Sequence, residues 1–425
     1  MRRKTSILAI GTGGLFVLVW TVGLTQRAGG QEKPLWFPCN GKACFLLGAN
    51  YPWYNGHRGL DLGPYLGSKT IATVSFASPR NSGAGHDVQF PSIPIRPGTT
   101  GFNADGIEAQ LQDMQAIGIH MLRWFFGYDG RSFMIFDQHN YCTGIDSTAL
   151  QNVDRVLALA ETHQVYLVPV LLDCRFISGD HWLKFEDGSS EAGHTDVIRD
   201  PEKRKSLIEN FVQPLVKRCA NSRAILYWEI MNEAGNVVQG TDPATGFTLQ
   251  GNARVPDGDK VSIVEMQTFL NEVYAAIKSV DQNHLVMPSG LARPRQLPLV
   301  VGRVKADLFG AHYNDDGSEW DRIESVANIR EALRSEYGLV LNKPLIMTEG
   351  PAQIQNHLND YLQSALDGGW AGYLAWSYYS LVGYSDLKRY PQIITSKDAP
   401  SAAQANVDLY RKFNQVHADA VKLGL

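Results

Sequence analysis

The chain has no surplus of basic residues. Lys and Arg total 39 against 43 Asp and Glu, a formal net charge of −4 over 425 residues, so the positive footprint that nucleic-acid binding needs is missing. Cysteine is scarce as well: there are five, none in a CxxC pair, and the spacing offers no structural zinc site. Cys39 and Cys44 in "PCNGKAC" lie close enough for a small-loop disulfide, and the odd count leaves at least one thiol free or shared between chains. No Gly-rich phosphate loop follows any strand-like run, which weakens a doubly wound nucleotide-binding sheet as the runner-up architecture. No internal repeat, charge block or linker interrupts residues 31–425.

What is present begins at the N-terminus. Arg2, Arg3 and Lys4 precede an uncharged stretch over residues 6–24, which as a helix would span about 28 Å, close to a bilayer's hydrocarbon thickness. Residues 1–30 therefore read as an export signal or a single N-terminal membrane anchor. The remainder is then expected to be exported: secreted, periplasmic or held at the outer face of the membrane.

Past that segment, short apolar runs alternate with helical periodicity. The runs are "CFLLGANY" (44–51), "HMLRWFF" (120–126), "VYLVPVLLD" (165–173), "AILYWEIMN" (224–232), "HLVMPSG" (284–290), "LFGAHY" (308–313), "PLIMTEG" (344–350) and "GYLAWSYY" (372–379). They are apolar on both faces, as strands of a parallel sheet covered on both sides must be. Helices are expected after Asp105, after Ser147, over 201–219 behind Pro201, from Ile263 to Val280, from Ile323 to Leu333, from Leu358 to Leu366, and over 401–422. Eight strands, nearly all followed by helices, predict an α/β fold of the (β/α)8 barrel type. Residues 31–425 then form one catalytic domain with long strand-to-helix loops. Two irregular stretches, 55–104 and 236–258, lie after strands and so over the barrel mouth, as substrate-shaping loops or as floppy surface insertions.

Functional groups of such a barrel collect at the C-terminal ends of its strands. Those ends carry Asn50 and Tyr51, Arg123, Asp173, Asn232 with Glu233, His312 with Tyr313, Glu349, and Trp376. Glu233 and Glu349 end the fourth and seventh strands, across the mouth from one another. Two carboxyl groups facing one cleft are what glycosidic bond cleavage requires, one protonated and one ionised. Glu229, deeper in the fourth strand, reads as a satisfied structural carboxylate. A metal-dependent barrel would want His-x-His at the first strand, which "GANYPWYNGHR" does not supply. The 9 Trp and 17 Tyr are compatible with surfaces on which sugars stack.

"WEIMNEA" and "LIMTEG", in that order at those two strand ends, resemble glycoside hydrolase family 5, the cellulase and β-mannanase family, or a closely related family of the retaining (β/α)8 clan. The resemblance covers residues 43–390. It implies that Glu233 is the general acid/base and Glu349 the nucleophile, with Asn232 on the substrate's 2-hydroxyl. It also implies that Arg123 keeps the nucleophile ionised and that Trp376 forms the floor under the cleaved sugar. His312, Tyr313 and Trp53 complete the expected substrate contacts. The implied substrate is a β-linked polysaccharide or oligosaccharide, cleaved by double displacement with no cofactor and no metal. The chain departs from the family pattern at Ala234, where Pro is common, at the directly adjacent His312 and Tyr313, and at the third strand end, where Asp173 and Arg175 replace a histidine. Two alternatives stay open: a non-catalytic carbohydrate-binding barrel, with Trp53, Trp124, Trp182, Trp320 and Trp376 as platforms, and a transglycosylase using the same site.

Overall fold

A computed structural model describes residues 35–376 apart from 36, 40–41, 53, 55–58, 77–87, 90–93, 117–118, 120, 181–182, 191, 314–322 and 352–357. The expected N-terminal export segment and the expected helix over 401–422 lie outside the described residues, as do Trp53, Trp182 and Trp320 and the side chains of Cys39 and Cys44. Among the described residues no helix is long and apolar enough to cross a membrane.

All eight apolar runs become strands of one closed parallel barrel. They are β1 (Leu46–Asn50), β2 (Met121–Phe125), β3 (Tyr166–Asp173), β4 (Tyr227–Asn232), β5 (Leu285–Leu291), β6 (Phe309–His312), β7 (Leu345–Pro351) and β8 (Gly372–Trp376). Each pairs with its sequence neighbours, and β8 returns to β1 with Gly372 opposite Leu46. Closure leaves no exposed sheet edge.

Period-2 alternation sorts the strand residues into two apolar layers. Met121, Val168, Tyr227, Met287, Ile346 and Leu374 gather in one cluster, the plug inside the lower barrel. Leu122, Trp124, Leu167, Trp228 and Val286 belong to the larger cluster beneath the helices. Two positions beyond Met121 and Tyr227, the same alternation turns Arg123 and Glu229 inward, where both are almost wholly buried. Trp124 is buried on the outer side with its indole N–H on Asp61 at 3.1 Å, so it packs the wall and is not a sugar platform.

The helices follow the predicted order with small shifts at their starts. α1 (Ala104–Ala116) is capped by Asn103, whose Oδ1 accepts from Gly106 N–H at 3.1 Å, so Asp105 sits in the first turn instead. α2 (Ser147–Thr162) is capped by Asp146, one residue ahead of the expected Ser147, because the carboxylate reaches Ala149 N–H. Pro201 opens α3 (residues 201–219) behind the capping Asp200. That stretch widens into π-helical turns over Ile208–Val212, just ahead of Pro214, which has no N–H to return to the preceding turn. α4 (Ile263–Val280) starts with a full capping box between Ser262 and Glu265. Ser325 caps α5 (Val326–Tyr337), which begins one turn after Ile323, and α6 (Leu358–Asp367) precedes β8.

The described parts of both irregular stretches carry regular structure. Ile71–Phe76 pairs with Leu183–Phe185 from the loop after β3, above a small core of Leu60, Tyr65, Ile71, Ile95 and Leu183. Val238–Thr241 pairs with Thr248–Leu249 and Val261–Ser262. The described parts of both stretches are thus paired strands.

In the loop after β3, the His194 ring is stacked between Phe136 and Phe176, at centroid distances of 4.2 and 4.8 Å, and donates from Nδ1 to Asn140 Oδ1. Burial lowers its pKa from the ordinary 6.5 to about 4, against a smaller opposing pull from Asp196. An unfolded chain takes up this proton below about 6.5 while the folded chain refuses it until about 4. Stability therefore falls as the pH drops through that window. Urea unfolding at pH 7 and pH 5 is expected to show a loss on acidification about 1–2 kcal/mol larger in the wild type than in His194→Gln, partial exposure of the residue screening the rest. Equal losses in the two proteins would contradict this.

Candidate active site

The mouth is organised by one guanidinium. Arg123 donates from Nε to Glu229 Oε2 at 2.7 Å and from Nη2 to Glu229 Oε1 at 2.7 Å, a bidentate pair. Nη1 donates to Asn50 Oδ1 at 2.9 Å and to Glu349 Oε1 at 2.8 Å, and Nη2 also donates to Asn232 Oδ1 at 2.6 Å. All five N–H groups of the side chain are thereby used. Glu229 accepts a further bond from Gly290 N–H at 2.9 Å. It is the satisfied structural carboxylate that its depth in the strand suggests. Space here is tight: a Cβ on Gly290 would meet Thr348 Oγ1 at 2.6 Å, His312 Nε2 at 2.8 Å and Glu229 Oε1 at 2.9 Å.

Two local irregularities aim the candidate acids. Asn232 and Glu233 are consecutive and in a regular strand would face opposite ways. Glu233 instead leaves β4 in a left-handed conformation (φ 50, ψ 38), uncommon for a residue with a side chain. Its N–H donates to Gly290 O at 2.8 Å and its carbonyl accepts from Asn236 N–H at 2.9 Å, which hold the turn. In β7, Met347 pairs with Ala311 but Glu349 pairs with His312, so one extra residue is accommodated around Thr348. The register with β8 slips in the same place, between Met347 and Gly350. Such a bulge re-aims a side chain at a barrel rim, and here it puts Glu349 against Arg123.

The two carboxyl groups meet at His312. Its Nδ1 lies 3.3 Å from Glu233 Oε1 and 3.4 Å from Glu349 Oε2. Glu233 Oε2 accepts from Asn236 Nδ2 at 2.8 Å. One donor atom from each of Glu233, His312 and Glu349 falls within 4.8 Å of the others. Three such ligands could hold a cation, but the Arg123 charge already occupies Glu349 and opposes a second positive charge there. Desolvation pushes the Glu349 carboxyl up to about 7, with His312 and Arg123 pulling down and Glu233 pushing up. For Glu233 burial also raises the pKa, but the hydrogen bond and charge of His312, helped by Arg175 and Arg123, carry it below the ordinary value. The pair thus behaves as two coupled carboxyl groups sharing one proton.

The remaining predicted residues divide. Trp376 is half-buried and packs with Phe125, Tyr128 and Val170, an aromatic patch on the inner wall. Tyr313 sets its ring edge on Trp370, with centroids 5.7 Å apart, and its hydroxyl accepts from Glu324 N–H at 2.9 Å. Its ring and hydroxyl thus lie in the packing of the loop after β6, while its backbone N–H donates to the Glu349 carbonyl at 2.8 Å. Asn236 and Ser289, whose Oγ accepts from Ala234 N–H at 3.2 Å, support Glu233 without having been anticipated. Nothing in their local sequence distinguishes them from ordinary loop and strand residues.

No family model matches the chain. A mannan endo-1,4-β-mannosidase of Mytilus edulis is 26% identical over 252 residues, 58% of this chain and 56% of that protein. The chain is similar in sequence to this endo-β-mannanase. A second such protein, from Cryptopygus antarcticus, is 22% identical over 221 residues, 50% of this chain and 52% of its own length. The chain therefore spans about half the length of the curated relatives it matches. The fold extends further: the crystal structure of an endo-1,4-β-mannanase from Eisenia fetida covers 89% of this chain and 94% of its own, at a TM-score of 0.61 and 19% identity. The resemblance to glycoside hydrolase family 5, or a closely related family of its clan, holds, and so does the (β/α)8 barrel.

Removing the central cation would strand Glu229 in the barrel. Arg123→Met is expected to cost about 3–5 kcal/mol of unfolding free energy in urea, the loss seen when one partner of a buried pair is deleted. A loss below about 1 kcal/mol would show that the network is not holding the barrel together.

Proposed function

We propose that the chain is a retaining glycoside hydrolase that cuts β-1,4-linked mannan. Glu349 is the nucleophile in this reading and Glu233 the general acid/base. The observation that carries it is the approach of carboxylate oxygens of Glu233 and Glu349 to within 4.8 Å. Retaining enzymes hold their carboxyl groups about 5–5.5 Å apart, while inverting enzymes need about 6.5–9.5 Å to admit a water. The names of the relatives supply the substrate, and the aromatic patch at Trp376 supplies a surface suited to a sugar face.

The chemistry follows from where the single proton of the pair sits. Glu349, ionised beside Arg123, attacks the anomeric carbon while Glu233 gives its proton to the leaving oxygen. Glu233 then takes a proton from water, which releases the sugar with net retention. In the resting site the proton favours Glu349, whose pKa burial raises while His312 holds that of Glu233 below its ordinary value. His312 Nδ1, within 3.4 Å of both carboxylates, lies between the two ends of the transfer that readies Glu233. Water and a second sugar compete for the same glycosyl intermediate, so product analysis separates hydrolysis from transglycosylation.

Glu349→Ala is expected to lose turnover of mannan and of aryl β-mannosides, and azide to restore it with an α-configured product. Unaltered turnover in that variant would remove Glu349 from the nucleophile role. A wild type that binds mannan but cuts none of these substrates would favour the carbohydrate-binding reading.

The pH profile has a defined sign. The active pair carries one proton, and it loses that proton as the pH rises through about 7. The alkaline limb of kcat/KM is therefore expected near pH 7, with activity falling above it. In Glu233→Gln, assayed on an activated aryl glycoside that needs no acid assistance, that limb should vanish. Its persistence unchanged would mean that another group titrates.

A further inference from the structure

Asp173 ends β3, directly opposite Asn232 at the end of β4. Its two oxygens do different jobs. Oδ1 accepts from Arg175 N–H at 2.9 Å and from Arg175 Nη1 at 2.8 Å, which ties the short helix Arg175–Ser178 to the strand. Oδ2 accepts from Asn232 Nδ2 at 2.6 Å. The other end of the same amide, Asn232 Oδ1, accepts from Arg123 Nη2 at 2.6 Å. Asn232 therefore lies between a guanidinium that only donates and a carboxylate that only accepts. Turned by half a revolution, the amide would set its NH2 against the guanidinium and its oxygen against the carboxylate, repulsive on both sides. Asp173 is almost wholly buried and Asn232 is 4% exposed, so water cannot readily substitute for either partner.

We infer that Asp173 is a positioning residue for the sugar-binding amide: it locks Asn232 with its oxygen on Arg123, one N–H on Asp173 and the second N–H free for a hydroxyl beside the bond to be cut. The inference rests on the glycosidase reading for the identity of that hydroxyl, the 2-hydroxyl of the sugar. It does not rest on it for the lock itself. The β3 end thus supplies, through Asp173, an orienting function across the strand pair.

Asp173→Asn separates the two jobs of the carboxylate. The new side chain keeps an oxygen to accept from Arg175 N–H, so the short helix stays tied, but it then turns an NH2 toward Asn232 Nδ2 and breaks the lock. The first measurement needs no turnover. In wild type, the Asn232 side-chain amide, identified by its disappearance in Asn232→Ala, should give one strongly downfield, slowly exchanging proton in the NMR spectrum. Asp173→Asn should lose that signature. Its retention would overturn the lock.

The second measurement compares an aryl β-mannobioside with its analogue lacking the 2-hydroxyl on the cleaved sugar. Asp173→Asn should lower kcat/KM about 10- to 100-fold on the hydroxylated substrate, the scale of a misplaced contact group, and change the 2-deoxy rate less than about threefold. Equal slowing of both substrates would reduce Asp173 to a structural residue and overturn the assignment. A wild type that cleaves neither substrate would overturn the glycosidase reading instead. The amide measurement would then decide the lock alone.

Discussion

The barrel mouth depends on one buried cation with no unused N–H. Arg123 joins β1 through Asn50, β4 through Glu229 and Asn232, and β7 through Glu349, so four strands of the closed sheet are tied at one point, its own β2 included. Burying an arginine in this way is favourable only because every donor finds a partner and because two carboxylates offset its charge. Each of those partners is oriented in turn, since an acceptor that moved would leave a guanidinium N–H unmet in a place water does not reach. The electrostatics of the site follow from the same fact. Glu229 takes the guanidinium bidentately, and Glu349 receives only one of its N–H groups, so the cation moderates the upward push of burial on Glu349 without cancelling it.

Around that point the site is built in shells of decreasing rigidity. Glu229 is fixed by Arg123 and by the Gly290 amide. Asn232 is fixed between Arg123 and Asp173. Glu233 is held more loosely, by Asn236 and by a 3.3 Å approach to His312, and is the more exposed of the two candidate acids, 16% against 6% for the Glu349 side chain. That gradient suits the proposed chemistry, in which Glu349 must hold a fixed line to one carbon while Glu233 must meet first a leaving oxygen and then a water. The left-handed backbone at Glu233 and the bulge in β7 fall at the two places where an acid must leave the alternation of its strand, the first at a cost in backbone strain.

Much of this was legible in residue order. The eight apolar runs, each too short and too uniformly apolar for anything but a covered strand, specified the barrel, and the polar residue ending each run marked the mouth. Arg123, Glu229, Asn232, Glu233 and Glu349 were legible because a charged or amide group at the end of a buried run has few reasons to be there. The packing of Tyr313 on Trp370 was not legible, because the strand alternation that turns His312 inward places the next residue in a different packing environment. Trp124, a platform only in the carbohydrate-binding alternative, sits one step from the inward Arg123 and so packs the outer wall. Asn236 and Ser289 were invisible because a loop amide and a strand hydroxyl carry no periodic signal.

The sequence by itself determined the closed parallel barrel, the rim on which the chemistry sits and the two carboxyl groups that face each other, because hydrophobic period and strand-end position are local properties of the chain. Only the tertiary structure decided which way each rim group points. The bulge around Thr348, the left-handed turn at Glu233 and the Asn232 amide clamped by Asp173 and Arg123 each depend on a strand distant in sequence. Register and hydrogen-bond polarity between such strands exist only once the barrel has closed.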